Sequence, residues 1–327
     1  MDNHLKNNYL NNNYIGTPEI SEAWELIRQV QKITLLTHLR PDGDGISACA
    51  ALEHALKKIN KNIETIYPSN PNRNFTCQPN NFLVNKHKQI PELIIICDTA
   101  NIERAYYPDI FTNIPTINID HHINNTISAT YNFLDSDTSS ACEVLFSVLQ
   151  AFDQSLLDTY TATCLLSGIL SDSLIFQTQS TTPQTLRISA DLIELGANLY
   201  QLKLELTGNK KPEIIALWGS LMSSIHTTTS EKATWVAITK KDLEKVGLKN
   251  SAFDGFINFL SQMVSTDITL FAYETKDLKT KVSLRSKTTD VNKLAEQFGG
   301  GGHKNAASFS SDKSIAKVIE MVTNNIE

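Results

Sequence analysis

KITLLTHLRPDGDGISACAALEHALKKIN, residues 32–60, contains the pattern that decides the fold. KITLLTH (32–38) is a short apolar run rich in β-branched residues and reads as a buried strand; ISACAALEHALKKIN (46–60) reads as the helix that follows it. A strand that turns directly into a helix opens a parallel α/β sheet, because parallel neighbours need a crossover. The same alternation continues downstream. NIETIYP (62–68), ELIIICD (92–98), PTINID (115–120) and ATYNFLD (129–135) read as strands, with a Pro/Asn-rich loop from Ser69 to Asn81. Helices are expected over 140–152, 155–170 and 181–198, the last opened by Pro183 and closed by Gly196-Ala197-Asn198.

The pattern changes near 200–213, where LTGNKKPE resembles a connector. Beyond it come a helix (213–226), a strand (233–239), a helix (251–263), two facing strands (267–275 and 281–287), a short helix (290–298) and a final helix. The expected architecture is therefore α/β: a parallel-sheet domain over 17–199, a linker over 200–213, and a second, smaller α+β domain over 214–327, with the active site in the cleft between them. The Asn-rich residues 1–16 read as a disordered leader.

At 327 residues, 41% hydrophobic and 20% charged, the chain has the composition of a globular protein with a substantial core. Its longest clean apolar run is LIIIC (93–97), far too short for a membrane span, and no secretory signal opens the sequence. Five widely spaced cysteines without a CxxC pair point to reduced thiols and a cytoplasmic location. The net charge of −6 comes from the first half, whereas 276–304 holds seven basic residues against three acidic ones. No extended basic face suggests long duplex nucleic acid as a partner. A short anionic ligand fits this asymmetry.

In parallel α/β sheets ligands sit beyond the carboxyl ends of the strands. His38, Asp42 and Asp44 follow the first strand, Asp98 ends the third, and Asp120, His121 and His122 end the fourth. Asp172 follows the apolar helix, within reach of the same edge. PDGDG alone is an ordinary turn sequence, and Asp-His-His alone an ordinary loop. Together they gather carboxylates on one rim, where each raises the pKa of the next unless cations neutralise them. Mixed His/Asp donors, mostly oxygen, suit two manganese or magnesium ions, and a two-metal site clamps the oxygens of an in-line phosphoryl displacement and activates water. The second domain contributes GGGGHKNAAS (299–308), whose glycines let backbone N–H groups approach an anion. Arg285, the only arginine of residues 191–327, and His303 add phosphate donors.

The Asp120-His121-His122 triplet and the C-terminal glycine/histidine motif resemble the DHH phosphoesterase superfamily with its DHH-associated domain, closest to the bacterial nanoRNases with 3′-phosphoadenosine 5′-phosphate (pAp) phosphatase activity. The resemblance implies a manganese-dependent hydrolase that cuts very short oligoribonucleotides to 5′-mononucleotides and dephosphorylates pAp, with no membrane partner and a homodimeric assembly. By position, His38, Asp42 and Asp98 would hold one ion, and Asp44, Asp98, His121 and Asp172 the second. Asp120 would orient a histidine, and His122 would face the scissile phosphate. Arg285, Gly300, Gly301, Gly302 and His303 would grip the substrate's terminal phosphate. The chain departs from the pattern in DGDGIS (42–47) and in SLIFQ (173–177), where Gln177 stands at a position that is basic in many relatives. The alternatives are a linear or cyclic di-AMP phosphodiesterase and a non-catalytic nucleotide sensor. A sensor would have lost a ligand, and every ligand position is filled.

Overall fold

A computed structural model describes residues 14–71, 76–207 and 210–326, and of His303 only the backbone. Two compact units divide between Gly208 and Asn209. The first runs α1 (Pro18–Gln29), β1 (Lys32–Leu36), α2 (Gly43–Lys58), β2 (Asn62–Tyr67), β3 (Phe82–Val84), β4 (Leu93–Cys97), β5 (Thr116–Asp120), β6 (Tyr131–Leu134), α3 (Ala141–Phe152), α4 (Thr159–Asp172), α5 (Pro183–Glu194) and α6 (Leu199–Thr207). Its six described strands are all parallel, in the order β3-β2-β1-β4-β5-β6. The order reverses beside β1 and β4, and a crevice opens at such a point in α/β sheets.

Strand β4 shows why the sheet is buried on both faces. Leu93, Ile95 and Cys97 alternate into the core shared with the helices, while Ile94 and Ile96 join Leu36, Ile66 and Phe111 on the other side. The helical layer covers one face; loops and short 3₁₀ turns at 102–104 and 109–111 cover the other. Side-chain caps fix the helix starts: Asp42 on α2, Ser140 on α3, Asp158 on α4, and Thr182 in a capping box with Thr185 on α5.

The expected boundaries need three corrections. The linker placed over 200–213 is largely helix: α6 fills Leu199–Thr207 and buries Leu202 in the first unit's core. In the sequence Asn209-Lys210-Lys211-Pro212 carry turn signals that mask the helical stretch before them, and Pro212 starts the next helix. The end of the presumed leader is packed, since the Tyr14 ring meets Phe133 edge-on at 5.4 Å; residues 1–13 lie outside the described residues. Finally, the helix expected over 155–170 starts at Thr159 after a 3₁₀ turn and ends on Asp172.

The second unit comprises α7 (Pro212–Ser223), β7 (His226–Thr227), β8 (Ala233–Ile238), α8 (Lys240–Lys245), α9 (Phe256–Met263), β9 (Ile268–Glu274), β10 (Thr280–Ser286), α10 (Val291–Glu296), β11 (Gly301–His303), β12 (Ala306–Ser311) and α11 (Ile315–Asn324). The sheet order is β11-β12-β10-β9-β8-β7, antiparallel except for the β8–β9 pair. Leu270, Val282, Leu284 and Phe309 pack on one face with α10 and α11; Val236 and Phe271 pack on the other with α7 and α9.

The glycine run ends in the edge strand β11, with Gly301 opposite Ser308 and Gly302 opposite Ala307. A Cβ on Gly302 would collide with the Ala306 carbonyl and stand 2.6 Å from Ala307 Cα; one on Gly300 would collide with the Ser308 carbonyl and stand 2.8 Å from Phe309 Cα. At Gly301 the nearest neighbour would be Asn292 Oδ1, 3.7 Å away. Close strand approach therefore requires two of these glycines, and packing leaves Gly301 free. Gly300→Ala and Gly302→Ala should each destabilise the second unit by about 1–3 kcal/mol, and Gly301→Ala should stay within about 0.5 kcal/mol. Urea titration followed by tryptophan fluorescence distinguishes them.

Candidate active site

Three strand ends and one helix end meet at the carboxyl edge of the parallel sheet. Asp98 follows β4 directly and is 3% exposed, with a left-handed φ of +53°. That backbone costs an L-residue about 1–2 kcal/mol, and aspartate is among the few side chains that tolerate it. Its Oδ2 lies 3.4 Å from His38 Nε2, and its Oδ1 lies 3.7 Å from His121 Nε2 and 3.8 Å from His122 Nδ1. One carboxylate thus addresses both sides of the cluster.

On the first side, His38 Nδ1 faces the Leu39 carbonyl at 3.0 Å, so Nδ1 carries the hydrogen and Nε2 points at Asp98 and at Asp42, 3.6 Å away. Asp42 also caps α2, its Oδ1 accepting from the backbone N–H of Asp44 and Gly45. Burial depresses the His38 pKa, but hydrogen bonds and charge from Asp42 and Asp98 outweigh it and push the ring up to about 11. A cation seated among these donors would displace that proton.

On the second side, Asp44, His121 and Asp172 place one donor atom each within 4.8 Å of one another, as do His38, Asp42 and Asp98. His121 Nε2 lies 3.4 Å from Asp172 Oδ2. Asp44 is fully buried and accepts from the Ala141 and Cys142 N–H groups at 2.6 and 3.1 Å, at the amino end of α3. Such a placement stabilises a carboxylate by up to ~2 kcal/mol. Even so, burial and then the Asp98 charge push Asp44 well above the usual carboxylate range, and burial with the neighbouring aspartates does the same to Asp172. The donor set is therefore oxygen-rich, crowded and anionic, and it fits divalent cations.

Asp120, fully buried, holds the third piece. Its Oδ1 accepts from His122 Nδ1 at 2.7 Å and its Oδ2 from Asn125 Nδ2 at 2.6 Å. Asn125 also donates to the Thr99 carbonyl, and its Oδ1 accepts from Asn118, tying the loop after β5 to the start of the loop after β4. Burial opposes both charges, yet the pair raises His122 and lowers Asp120 relative to their ordinary values.

All the residues expected at the cluster, His38, Asp42, Asp44, Asp98, Asp120, His121, His122 and Asp172, come together. In the second unit Arg285 lies on β10, Gly301 and Gly302 on the edge strand, and Gly300 just before it; the His303 side chain lies outside the described residues.

Residues 32–169 match the DHH family, N-terminal domain, and residues 232–327 match the DHHA1 domain. The chain combines a DHH domain with a DHHA1 domain. A Bacillus subtilis (strain 168) protein named bifunctional oligoribonuclease and PAP phosphatase NrnA is 28% identical over 300 residues, covering 88% of this chain and 92% of the relative. The Mycoplasma genitalium protein of the same name is 27% identical over 312 residues, covering 92% and 95%. The fold also matches an exopolyphosphatase-related protein from Bacteroides fragilis, with a TM-score of 0.86 at 22% identity over 95% of this chain and 97% of that one. Among the described residues no helix is long and apolar enough to cross a membrane.

Sequence reasoning missed the small residues that let this DHH centre assemble. A Cβ on Gly45 would collide with Thr37 Oγ1 and stand 3.1 Å from Asp98 Oδ2; one on Gly168 would collide with Cys142 Sγ and stand 2.6 Å from Asp44 Oδ1. Gly168 sits in an unbroken helical pattern and carries no turn signal, so the sequence offers no sign of its role. The chain leaves Asp172 through Leu174, Ile175 and Phe176, all left-handed at φ 48°, 61° and 63°. Buried Ser173 holds that turn, its carbonyl accepting from Gln177 and Thr178 and its Oγ from Phe176.

Gly168→Ala should weaken divalent-cation affinity about 10–100-fold by displacing Asp44, measured by calorimetric Mn2+ titration. In metal-free protein Asp120→Asn should lower the His122 pKa, read by NMR titration of the imidazole. The sign follows from linkage: the contribution of protonated His122 is complete below its unfolded pKa and disappears as pH rises through the raised folded value. Stability of the wild type relative to Asp120→Asn should narrow across that rise.

Proposed function

We propose that the chain is a manganese-dependent phosphoesterase that hydrolyses very short oligoribonucleotides to 5′-mononucleotides and removes the 3′-phosphate of pAp. The observation that carries this reading is the double-sided carboxylate of Asp98, which faces one donor group through each oxygen. His38, Asp42 and Asp98 would hold one ion; Asp44, Asp98, His121 and Asp172 would hold the other. When bound, such ions polarise phosphate oxygens and acidify water.

The chain's own residues supply the rest. Asp120, itself held by Asn125, fixes the His122 ring through Nδ1, and His122 would face the scissile phosphate or leaving oxygen. Arg285 is partly buried, and among the described residues no carboxylate pairs with it, which leaves its charge for an anion. Gly301 contributes a backbone unobstructed by a side chain, and Gly300, Gly302 and His303 complete the terminal-phosphate grip. Relatives named for oligoribonuclease and PAP phosphatase activity support this substrate class over di-AMP. We place the enzyme in the cytoplasm, a reading supported by five free, buried cysteines. A homodimer is carried over from the family resemblance alone.

Purified protein supplied with Mn2+ should turn over RNA dinucleotides to short oligomers and pAp, and leave long RNA, linear and cyclic di-AMP and pyrophosphate largely intact. Asp98→Ala should lose at least about a thousandfold in kcat/KM. Turnover of pyrophosphate alone, or nucleotide binding with no turnover anywhere in the panel, would overturn the assignment.

A further inference from the structure

The surroundings of Arg285 contain a second choice of residue. Arg285 pairs with Thr269 on β9 and Ala306 on β12; two residues earlier on the same face, Ser283 pairs with Ser308, which in turn faces Gly301. On the β12 side Ser283, Ala306, Ser308 and Gly301 are short neighbours of Arg285, and on the β9 side Thr269 and Phe271 share its face. Arg285 Nε donates to Asn258 Oδ1 on α9 at 2.8 Å, and Nη1 donates to the Leu284 carbonyl at 2.9 Å. Arginine is only a donor, so the Asn258 atom in contact must be its oxygen.

A half-buried arginine next to a helix would ordinarily be paired with a carboxylate, because an unpaired buried charge is costly. Here a neutral amide occupies that place, and burial draws the guanidinium down to about 10, still charged at neutral pH. We propose that Asn258 is a positioning residue for substrate: it aims the Arg285 guanidinium without neutralising it, so that the full charge meets a substrate phosphate. This rests on the reading of Arg285 as a phosphate contact.

The role makes stability and binding respond in opposite directions. In Asn258→Asp the carboxylate pairs with Arg285, so melting temperature should hold or rise while KM for pAp rises about tenfold, with the larger share of the loss in KM rather than kcat. In Asn258→Ala the guanidinium loses its tether, so melting temperature should fall while KM rises less than in Asn258→Asp. Arg285→Gln should raise KM at least as far as Asn258→Asp. The three full-length variants, assayed with Mn2+ and pAp, separate the possibilities. If Arg285→Gln raises KM and Asn258→Asp does not, or if KM follows loss of stability so that Asn258→Ala binds worse than Asn258→Asp, Asn258 is structural and the inference fails. An unchanged KM in Arg285→Gln removes the phosphate role of Arg285, and the role of Asn258 with it.

Discussion

Asp98 carries the constraint from which the first unit is built. A carboxylate 3% exposed, on a left-handed backbone, faces histidines through both oxygens while Asp44 sits fully buried beside it. Such a group of like charges out of water opposes folding. The surrounding structure offsets the cost locally. His38 takes up charge between Asp42 and Asp98, the first N–H groups of α3 bind Asp44, and Gly45 and Gly168 let two helices approach without touching the carboxylates. The strain at Asp98 persists because β4 is anchored by five buried apolar residues and parallel neighbours on both sides.

The second unit solves the opposite problem with the same means. Among the described residues no carboxylate pairs with Arg285, and the unit's glycines serve first to let β11 lie against β12. Anion contact and strand packing both require the absence of a side chain, so one run of glycines can serve both. Gly300 and Gly302 answer to packing; Gly301 is the position that packing leaves unexplained.

Much of this was legible because parallel-sheet strands announce themselves as continuous apolar runs and place polar residues at their ends. LIIIC ending in Asp98 and TINID ending in His121-His122 fall where the alternation puts them. Edge strand β3 escaped because three half-buried residues carry no periodicity, and β11 because glycine lowers strand propensity. Helix α6 was hidden by the turn signals beside it. Asn125 and Asn258 were invisible for a different reason: what each does depends on which side chain its amide meets, and those partners come from other elements or from across a loop. Gly168 looked like a weak helix residue, and only the nearness of Cys142 and Asp44 gives it a purpose.

Charge balance limits what the cluster can do by itself. In the proposed ligand set, the carboxylates of Asp42, Asp44, Asp98 and Asp172 carry as much negative charge as two divalent ions carry positive, and Asp120 is matched by His122. A loaded cluster of that kind is close to neutral, so it can polarise a phosphate at contact but exerts little net attraction on an approaching anion. The positive charge that draws and orders a phosphorylated substrate must come from outside the cluster. Gln177, near the cluster's helix end, supplies none. The basic stretch 276–304 carries positive charge of its own, and within it Arg285 is held by an amide that leaves its charge intact. Under the proposed function, catalytic polarisation and substrate attraction are separate properties, and removing the Arg285 charge should weaken binding before it slows the chemistry.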